Sequence, residues 1–377
     1  MLHHSTCLSL IPVLRTCLPF IIGFCFAGAS LLQAQTIFGL SGGNLVSFNA
    51  GAPALLLTNT PVSGIDPDQV ISGLDFRPAT GELYALGYDS ITGSARLYTI
   101  NKSTAVATAI GAAPVTLDVG MGKIGFDFNP TVDRIRVTGS SNSNYRLHPV
   151  TGALVSVDGD LSFAPTDVNA GANPSVGAVA YTNSYIGATA TTLYNIDDSL
   201  GILTTQLPPN NGTLNTVGSL GIIQNLNNQT NDLDITLDAV TGANVAYFVA
   251  SDDISFSDNL FTINLQTGTA TLVGPVGLGV EIDDIAIEID RQVPEEVTGQ
   301  VVFALSGTNN LISFDSDLPG VIRSLVPVSG IAAGQVLAGM DFRPATGELF
   351  ALGYNNTTGE SRLYTIETAT GVATPVG

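Results

Sequence analysis

From residue 36 onward the chain is a succession of short runs in which apolar and polar positions alternate, separated by Thr-Gly, Asn-Gly and Asp-Gly pairs. A period of two with turn residues between the runs predicts strands and tight turns, and no segment carries the longer apolar period of an amphipathic helix. The runs follow an order. A first strand ends near an Asp, as in Ser72-Gly-Leu-Asp-Phe76. A turn leads to Leu83-Tyr-Ala-Leu-Gly-Tyr88, then to Arg96-Leu-Tyr-Thr-Ile100, and a fourth strand follows at Val106-Ala-Thr-Ala-Ile110. The same order returns from Gly125-Phe-Asp-Phe128, from Ala178-Val-Ala-Tyr181 and from Leu233-Asp-Ile235, and a last first strand stands alone at Asp284-Ile-Ala-Ile-Glu-Ile289.

Aligned on these first strands, the chain presents the column Asp75, Asp127, Ala180, Asp234, Asp284 and then Asp341, at intervals of 52, 53, 54, 50 and 57 residues. Units of this size, each with four strands, predict an all-β fold of the β-propeller type with five four-stranded blades. The ends of the series complement one another. The unit at Asp284 lacks its second to fourth strands, while residues 37–40, 44–48 and 55–58 supply three strands with no first one. Joining the N-terminal strands to the last blade closes the ring and removes sheet edges that would pair with other chains.

A larger repeat is superimposed on the small one. Asp75-Phe-Arg-Pro-Ala-Thr-Gly-Glu-Leu83 recurs letter for letter from Asp341 to Leu349, and Arg96-Leu-Tyr-Thr-Ile100 recurs from Arg362 to Ile366. The domain organisation expected is therefore a propeller over 36–290, a charged, Pro-containing linker over 291–300, and an incomplete second copy over 301–377. The stretch from Asp75 to Gly87, with Arg96-Leu-Tyr-Thr-Ile100 behind it, resembles the bacterial secreted family called domain of unknown function 4394. That resemblance implies a bacterial, exported protein, often with tandem copies, and brings no catalytic residues with it.

Composition adds a compartment. Arg15 is the one charged side chain before residue 35, and the run from Leu18 to Leu32 is almost wholly apolar and ends in small residues. A basic start, a short apolar core and a Leu32-Gln-Ala34 end are those of a signal peptide spanning 1–34; some fifteen apolar residues are fewer than the roughly twenty a membrane-spanning helix needs. Cys7, Cys17 and Cys25 all lie in this leader, so the mature chain has neither disulfides nor thiolate chemistry. His148 alone of the three histidines remains after cleavage, too few for a zinc centre. All 32 acidic residues but only 11 of the 12 basic ones are retained, which leaves the mature chain near −21. Such a surface repels nucleic acid and anionic membranes and favours solubility, cations or basic partners.

The Asp column is the sharpest candidate for chemistry. First strands line a propeller's channel, so Asp75, Asp127, Asp234 and Asp284 would form a ring of carboxylates, with Ala180 as the gap. Like charges at close range raise one another's pKa unless a cation neutralises them, and Ca²⁺, which takes six to eight oxygens, suits such a ring. The alternative is that each Asp accepts N–H bonds in its own turn and never meets the others. Arg77 and Glu82 are placed to pair across the intervening Thr-Gly turn. Asp66 and Asp68 become Ala332 and Gly334 in the second copy, so the fold does not demand them. Val157-Asp-Gly-Asp160 and Ser251-Asp-Asp253 are acidic loops without the spacing of a calcium-binding loop. Tyr145, Arg146 and His148 read as a surface strand.

These features point to an exported, non-enzymatic binding or display module of the cell surface, extracellular space or periplasm, with an extracellular ligand or protein as partner. The competing possibility is a glycoside-acting hydrolase with channel carboxylates about 5–9.5 Å apart. The leader makes the first testable statement: mass spectrometry of the exported protein should show a chain starting near Gln35, and an intact Met1 would contradict it.

Overall fold

The computed structural model describes Met1 and residues 35–222, 231–251 and 258–377; the expected leader lies outside the described residues, as do residues 252 and 253 of the acidic loop. The chain is all-β, with one three-residue 3₁₀ turn at Pro209–Asn211 as its single helical element among the described residues. No helix there is long and apolar enough to cross a membrane.

Five sheets account for residues 36 to 287. Their first strands are Val70–Phe76, Ile124–Asn129, Val176–Tyr181, Asn231–Leu237 and Asp284–Ile287. In the first four sheets three more strands follow outward in chain order. The third sheet gains Ser162–Phe163, parallel to Thr213–Ser219, and the first gains Val115–Thr116 beside Ser94–Ile100. The first strands lie side by side around one axis, each next to its successor, and Asp284–Ile287 lies beside Val70–Phe76. This propeller-like array follows from the pattern: inner strands are buried on both faces, as Leu83–Asp89 and Val176–Tyr181 show along nearly their whole length, while outer strands such as Leu154–Val157 and Ala270–Pro275 carry no fully buried residue.

The fifth sheet is assembled from both ends of the series. Thr36–Ser41 pairs antiparallel with Asp284–Ile287, placing Ile37 opposite Ile287 and Leu40 opposite Asp284. Asn44–Asn49 and Ala52–Pro61 complete the sheet. The last of these is longer than the expected 55–58, because bulges on either side of Phe48 let it continue past the turn.

The core sits between the faces of adjacent sheets. Phe38 and Leu40 of the fifth sheet pack with Leu74, Phe76 and Leu83 of the first. Leu86 and Leu97 of the first pack with Phe126, Phe128 and Val137 of the second. Ile196 and Leu203 of the third meet Ile235 and Phe248 of the fourth, and Val249 and Leu260 of the fourth meet Ile37, Val46 and Ile285 of the fifth. Ring pairs cross these seams: Phe38–Phe76 at 5.6 Å and Tyr84–Phe128, edge to face, at 5.0 Å between centroids. Each such buried side chain contributes roughly 1.5–3 kcal/mol.

Polar locks join neighbouring sheets as well. Arg77 does not pair with Glu82, whose contact with it is a backbone one, Arg77 N–H to the Glu82 carbonyl. Its guanidinium instead grips Asp133, at the turn between the second sheet's first two strands, through Nε at 2.9 Å and Nη2 at 2.5 Å. Both groups are buried, so the planar fork finds its carboxylate where water cannot compete. Between the second and third sheets Arg136 plays the same part, donating to Asn144, Asp158 and Asn210. Asp158 also accepts from Arg146 at 2.8 and 2.9 Å. The supposed acidic loop at 157–160 and the supposed surface strand at 145–148 are thus parts of one inter-sheet network. His148 is half-buried, and burial with Arg134 nearby pushes its pKa down to about 4.

The repeat after residue 300 forms a three-stranded sheet, Val301–Leu305, Asn310–Asp315 and Leu318–Pro327, and a four-stranded one running from Val336–Phe342 to Ala373–Pro375. Within each copy a Tyr locks its sheet in the same way. Tyr98 donates to Gln69 Oε1 at 2.8 Å and accepts the Asp66 N–H, as Tyr364 does with Gln335 and Ala332. Arg291 donates to the carbonyls of Ala79 and Ile322, and Arg323 to those of Pro294 and Glu295, so residues 291–300 are tied on both sides.

Because Thr36–Ser41 supplies the partner of Asp284–Ile287 and two apolar seams, a chain beginning after Pro61 should lose its single cooperative thermal transition, followed by circular dichroism. A transition unchanged in midpoint and sharpness would contradict this pairing.

Candidate functional site

A first strand has a neighbour on its outer side only, so some of its N–H groups face the axis and need a partner other than the ladder. The Asp column supplies it. Asp75 Oδ2 accepts the N–H of Phe128 in the second sheet at 2.8 Å. Asp127 Oδ1 accepts that of Tyr181 in the third at 3.0 Å, and Asp234 Oδ2 that of Ile287 in the fifth at 2.6 Å. Each carboxylate therefore reaches across to the residue that follows the equivalent position in the next sheet. Two positions in the column are Ala. After each, the next Asp turns back on its own strand: Asp234 Oδ1 takes the Ile235 N–H at 2.5 Å, and Asp75 Oδ1 the Phe76 N–H at 2.6 Å. Five N–H groups, one per sheet, are served by three carboxylates.

This register corrects one assignment. The residue of the last sheet that precedes Ile287 is Ala286, so Ala286, not Asp284, stands in the column with Asp75, Asp127, Ala180 and Asp234. Asp284 lies two residues earlier, level with Asp232, whose Oδ2 accepts the Ile285 N–H at 3.0 Å. Asp284 in turn accepts the N–H of Leu74 in the first sheet. In the first sheet this second level is occupied by Gly73, where a Cβ would come within 2.6 Å of the Phe126 Cβ. The strands approach too closely there for any side chain.

The expectation that carboxylates of the column meet is met by three of the four. One oxygen from each of Asp75, Asp127 and Asp234 lies within 4.8 Å of the others, and all three side chains are buried. They do accept backbone N–H bonds, Asp75 and Asp234 on their own strands and all three across sheets, and the cross-sheet bonding brings them together rather than keeping them apart. Burial, then the charge of Asp234, holds the Asp75 carboxyl well above the usual range. Asp127 is raised by burial and then by Asp75 and Asp234. Burial lifts Asp234 to about 6 and Asp232 to about 8, and raises Asp284, with the charge of Asp232 adding to it.

Two contributors were missed in the sequence. Asp232 sits two residues before a member of the column, in Asn231-Asp-Leu-Asp234, and the doubling of the acid was the clue to it. Lys123, the residue before the second first strand, reaches to the Asp283 carbonyl and is close enough to Asp198, Asp232 and Asp284 to favour their ionised forms. Asp198, lifted to about 7 by burial, accepts from Asn231 at 2.9 Å. Chemically, three buried carboxylates at this separation can share protons or surround a hard cation.

The sheets with their axial carboxylates define an all-β protein of the propeller-like class. The chain belongs to the domain of unknown function (DUF4394) family, whose model matches residues 44–286 and 310–377. Similar solved structures include a protein from Lactobacillus plantarum, 13% identical, with 91% of this chain and 95% of that chain covered and a TM-score of 0.33. A quinonprotein alcohol dehydrogenase-like protein from Bacteroides thetaiotaomicron is 12% identical over 91% of this chain and 76% of that chain, TM-score 0.32. The Dos1 propeller is 11% identical over 90% and 78%, TM-score 0.29. No curated protein matches the chain.

The raised carboxyls give a pH dependence with a definite sign. Each binds a proton more tightly folded than unfolded, so its contribution is complete below the ordinary value of 3.8 and is lost as pH rises through about 6 for Asp234 and about 8 for Asp232. With divalent cations chelated, the melting temperature should fall between pH 5 and pH 9, and Asp232→Asn should flatten the upper part of that fall. A melting temperature that rises over this range in both proteins would contradict the protonated axis.

Proposed function

We propose that this protein is an exported, non-enzymatic binding or display module, a five-bladed propeller whose axis is closed by a divalent cation on Asp75, Asp127 and Asp234, with Ca²⁺ as the preferred ion. The observation that carries it is the meeting of three carboxylates from three different sheets within 4.8 Å. Each carboxylate offers one oxygen to this meeting point, and water or backbone carbonyls would complete a calcium shell. A cation there offsets the repulsion that otherwise requires protonation. Export is supported by the leader pattern of residues 1–34, and a surface or extracellular setting, with millimolar calcium and no need of thiols, accords with a mature chain free of cysteine. The domain of 36–290 carries the site, and 301–377 repeats its first third.

The glycosidase alternative draws little support from this geometry. The carboxylates are 3–5% exposed and committed to strand N–H groups, whereas hydrolysis needs a cleft that admits a sugar between acid and base.

Calcium should raise the melting temperature of the chelator-treated protein. Saturation at a hundred times the dissociation constant is worth about 2.7 kcal/mol. Asp127→Asn should remove most of the rise. Asp66→Asn should leave it intact, since Asp66 pairs with Arg96 at 2.8 Å, away from the axis. A melting curve indifferent to calcium, or equal losses in the two variants, would leave the carboxylates as strand clamps alone.

A further inference from the structure

The repeated sheets give an internal standard for each position. Opposite the column residue, the first, third and fourth sheets carry Tyr84, Tyr194 and Tyr247, and the fifth carries Phe38; the second carries Arg136. One strand further out, Thr99, Thr205, Thr262 and Ser47 stand where the second sheet has Arg146. Four sheets are built without guanidinium groups at these positions, so the fold does not demand them. Arg134 joins the pair, two residues before Arg136 on the same face of its strand. In a chain with 32 acidic and 12 basic side chains, these three arginines line one pocket of about 190 Å³ between the second and third sheets, with Asn129, Tyr181 and Asn210 around them.

The charges there do not balance. Arg136 and Arg146 share a single carboxylate, Asp158. Burial works to raise the Asp158 pKa, but hydrogen bonds from Arg146, Ser156 and Arg136 outweigh it and hold the group below the usual carboxylate range, so it is ionised. Arg134 spends Nη1 on the carbonyl oxygens of Val132 and Asp133 and forms no ion pair among the described residues. The Asp133 carboxylate beside it is gripped by Arg77. Burial lowers the Arg134 pKa, with Asp133 opposing and Arg146 adding to the effect, yet a guanidinium stays charged at any working pH. Three cations against one anion leave a surplus of two. Arg136 is buried and committed to acceptors of the chain itself. Arg134 is half-buried and the Arg146 side chain is 28% exposed, so these two can be reached from solvent.

We propose that this pocket binds a tetrahedral dianion, a phosphate or sulfate group, on the guanidinium groups of Arg134 and Arg146, with the charge of Arg136 behind them. The planar fork of arginine suits oxyanions, and charge-assisted bonds gain strength where water is partly excluded. A carboxylate would cancel only half of the surplus. The volume lies below the roughly 300–1,000 Å³ of sites that enclose a whole ligand, so the pocket takes an anionic group, free or carried on a larger molecule. It shares no residue with the axial carboxylates and stands whether or not the axis holds calcium.

Isothermal titration calorimetry of the full mature chain in calcium-free Tris chloride tests it with sulfate, phosphate, methyl phosphate and acetate. Sulfate and phosphate should each bind once per chain, at least about tenfold more tightly than acetate. Methyl phosphate binding on a par with phosphate supports the site and identifies an ester group as the source; binding about tenfold weaker supports it and identifies the free ion. Arg134→Gln should weaken sulfate by about tenfold or more. Should that variant not fold, Arg146→Thr, which matches the other sheets, serves instead with the same loss expected. Lys102→Gln removes one positive charge elsewhere, from the ion pair with Glu288, and should leave sulfate binding unchanged. Absence of binding, acetate as tight as sulfate, an Arg134→Gln or Arg146→Thr protein that binds sulfate as the parent does, or an equal loss from Lys102→Gln would overturn the proposal.

Discussion

When several sheets meet edge-on around an axis, their innermost strands are edge strands, and the N–H groups they turn inward have no ladder to join. Water cannot reach them and no strand is left to pair with them. Aspartate answers this constraint, because its side chain is short enough to stay within the axis and long enough to span to the adjoining strand. The arrangement is economical in its placing: where the column carries Ala180 or Ala286, the following Asp bonds its own strand and the next one with its two oxygens. Much else in the molecule follows from that choice. The close approach of strands at Gly73, the second level of acids at Asp232 and Asp284, and the electrostatic problem of the axis are all consequences of it.

That problem is what links architecture to function. Clamping strands needs carboxylates, clamping all five around one axis forces them together, and together they cannot all be ionised without a counter-charge. A proton and a metal ion are the two remedies, and they differ in how they respond to surroundings. An axis held by protons is at its best in acid; one held by a divalent cation is indifferent to pH over the neutral range but answers to the concentration of the ion. The outer locks carry no such tension, since Arg77 with Asp133 and Arg136 with Asp158 bring both charges with them.

The strand order and the pairing of the N-terminal strands with the last first strand were legible from alternation, turn residues and the repeat interval. Three of the four axial acids were legible from the same column. The fourth was misplaced because Asp283-Asp-Ile-Ala-Ile offers Asp284 and Ala286 on the same face of one strand, and alternation cannot tell residues two apart. The uneven intervals of 50 and 57 recorded the slip; with Ala286 in place they become 52 and 55. The partner of Arg77 was out of reach for a different reason. Asp133 lies 56 residues away, in a turn with φ of 49°, and nothing local to either residue names the other. The second copy shows what such partners do: Asp341 accepts the Phe342 N–H just as Asp75 accepts that of Phe76, yet Asp341, Phe342 and Arg343 are exposed, because no following sheet among the described residues packs over them.

The pairing of Thr36–Ser41 with Asp284–Ile287 joins segments almost 250 residues apart, and this sets the order in which the molecule can be made. Contacts so distant in sequence form late, after their long loop has been closed. The earliest strands to leave the ribosome must wait, unpaired on one side, for the last strand of the series.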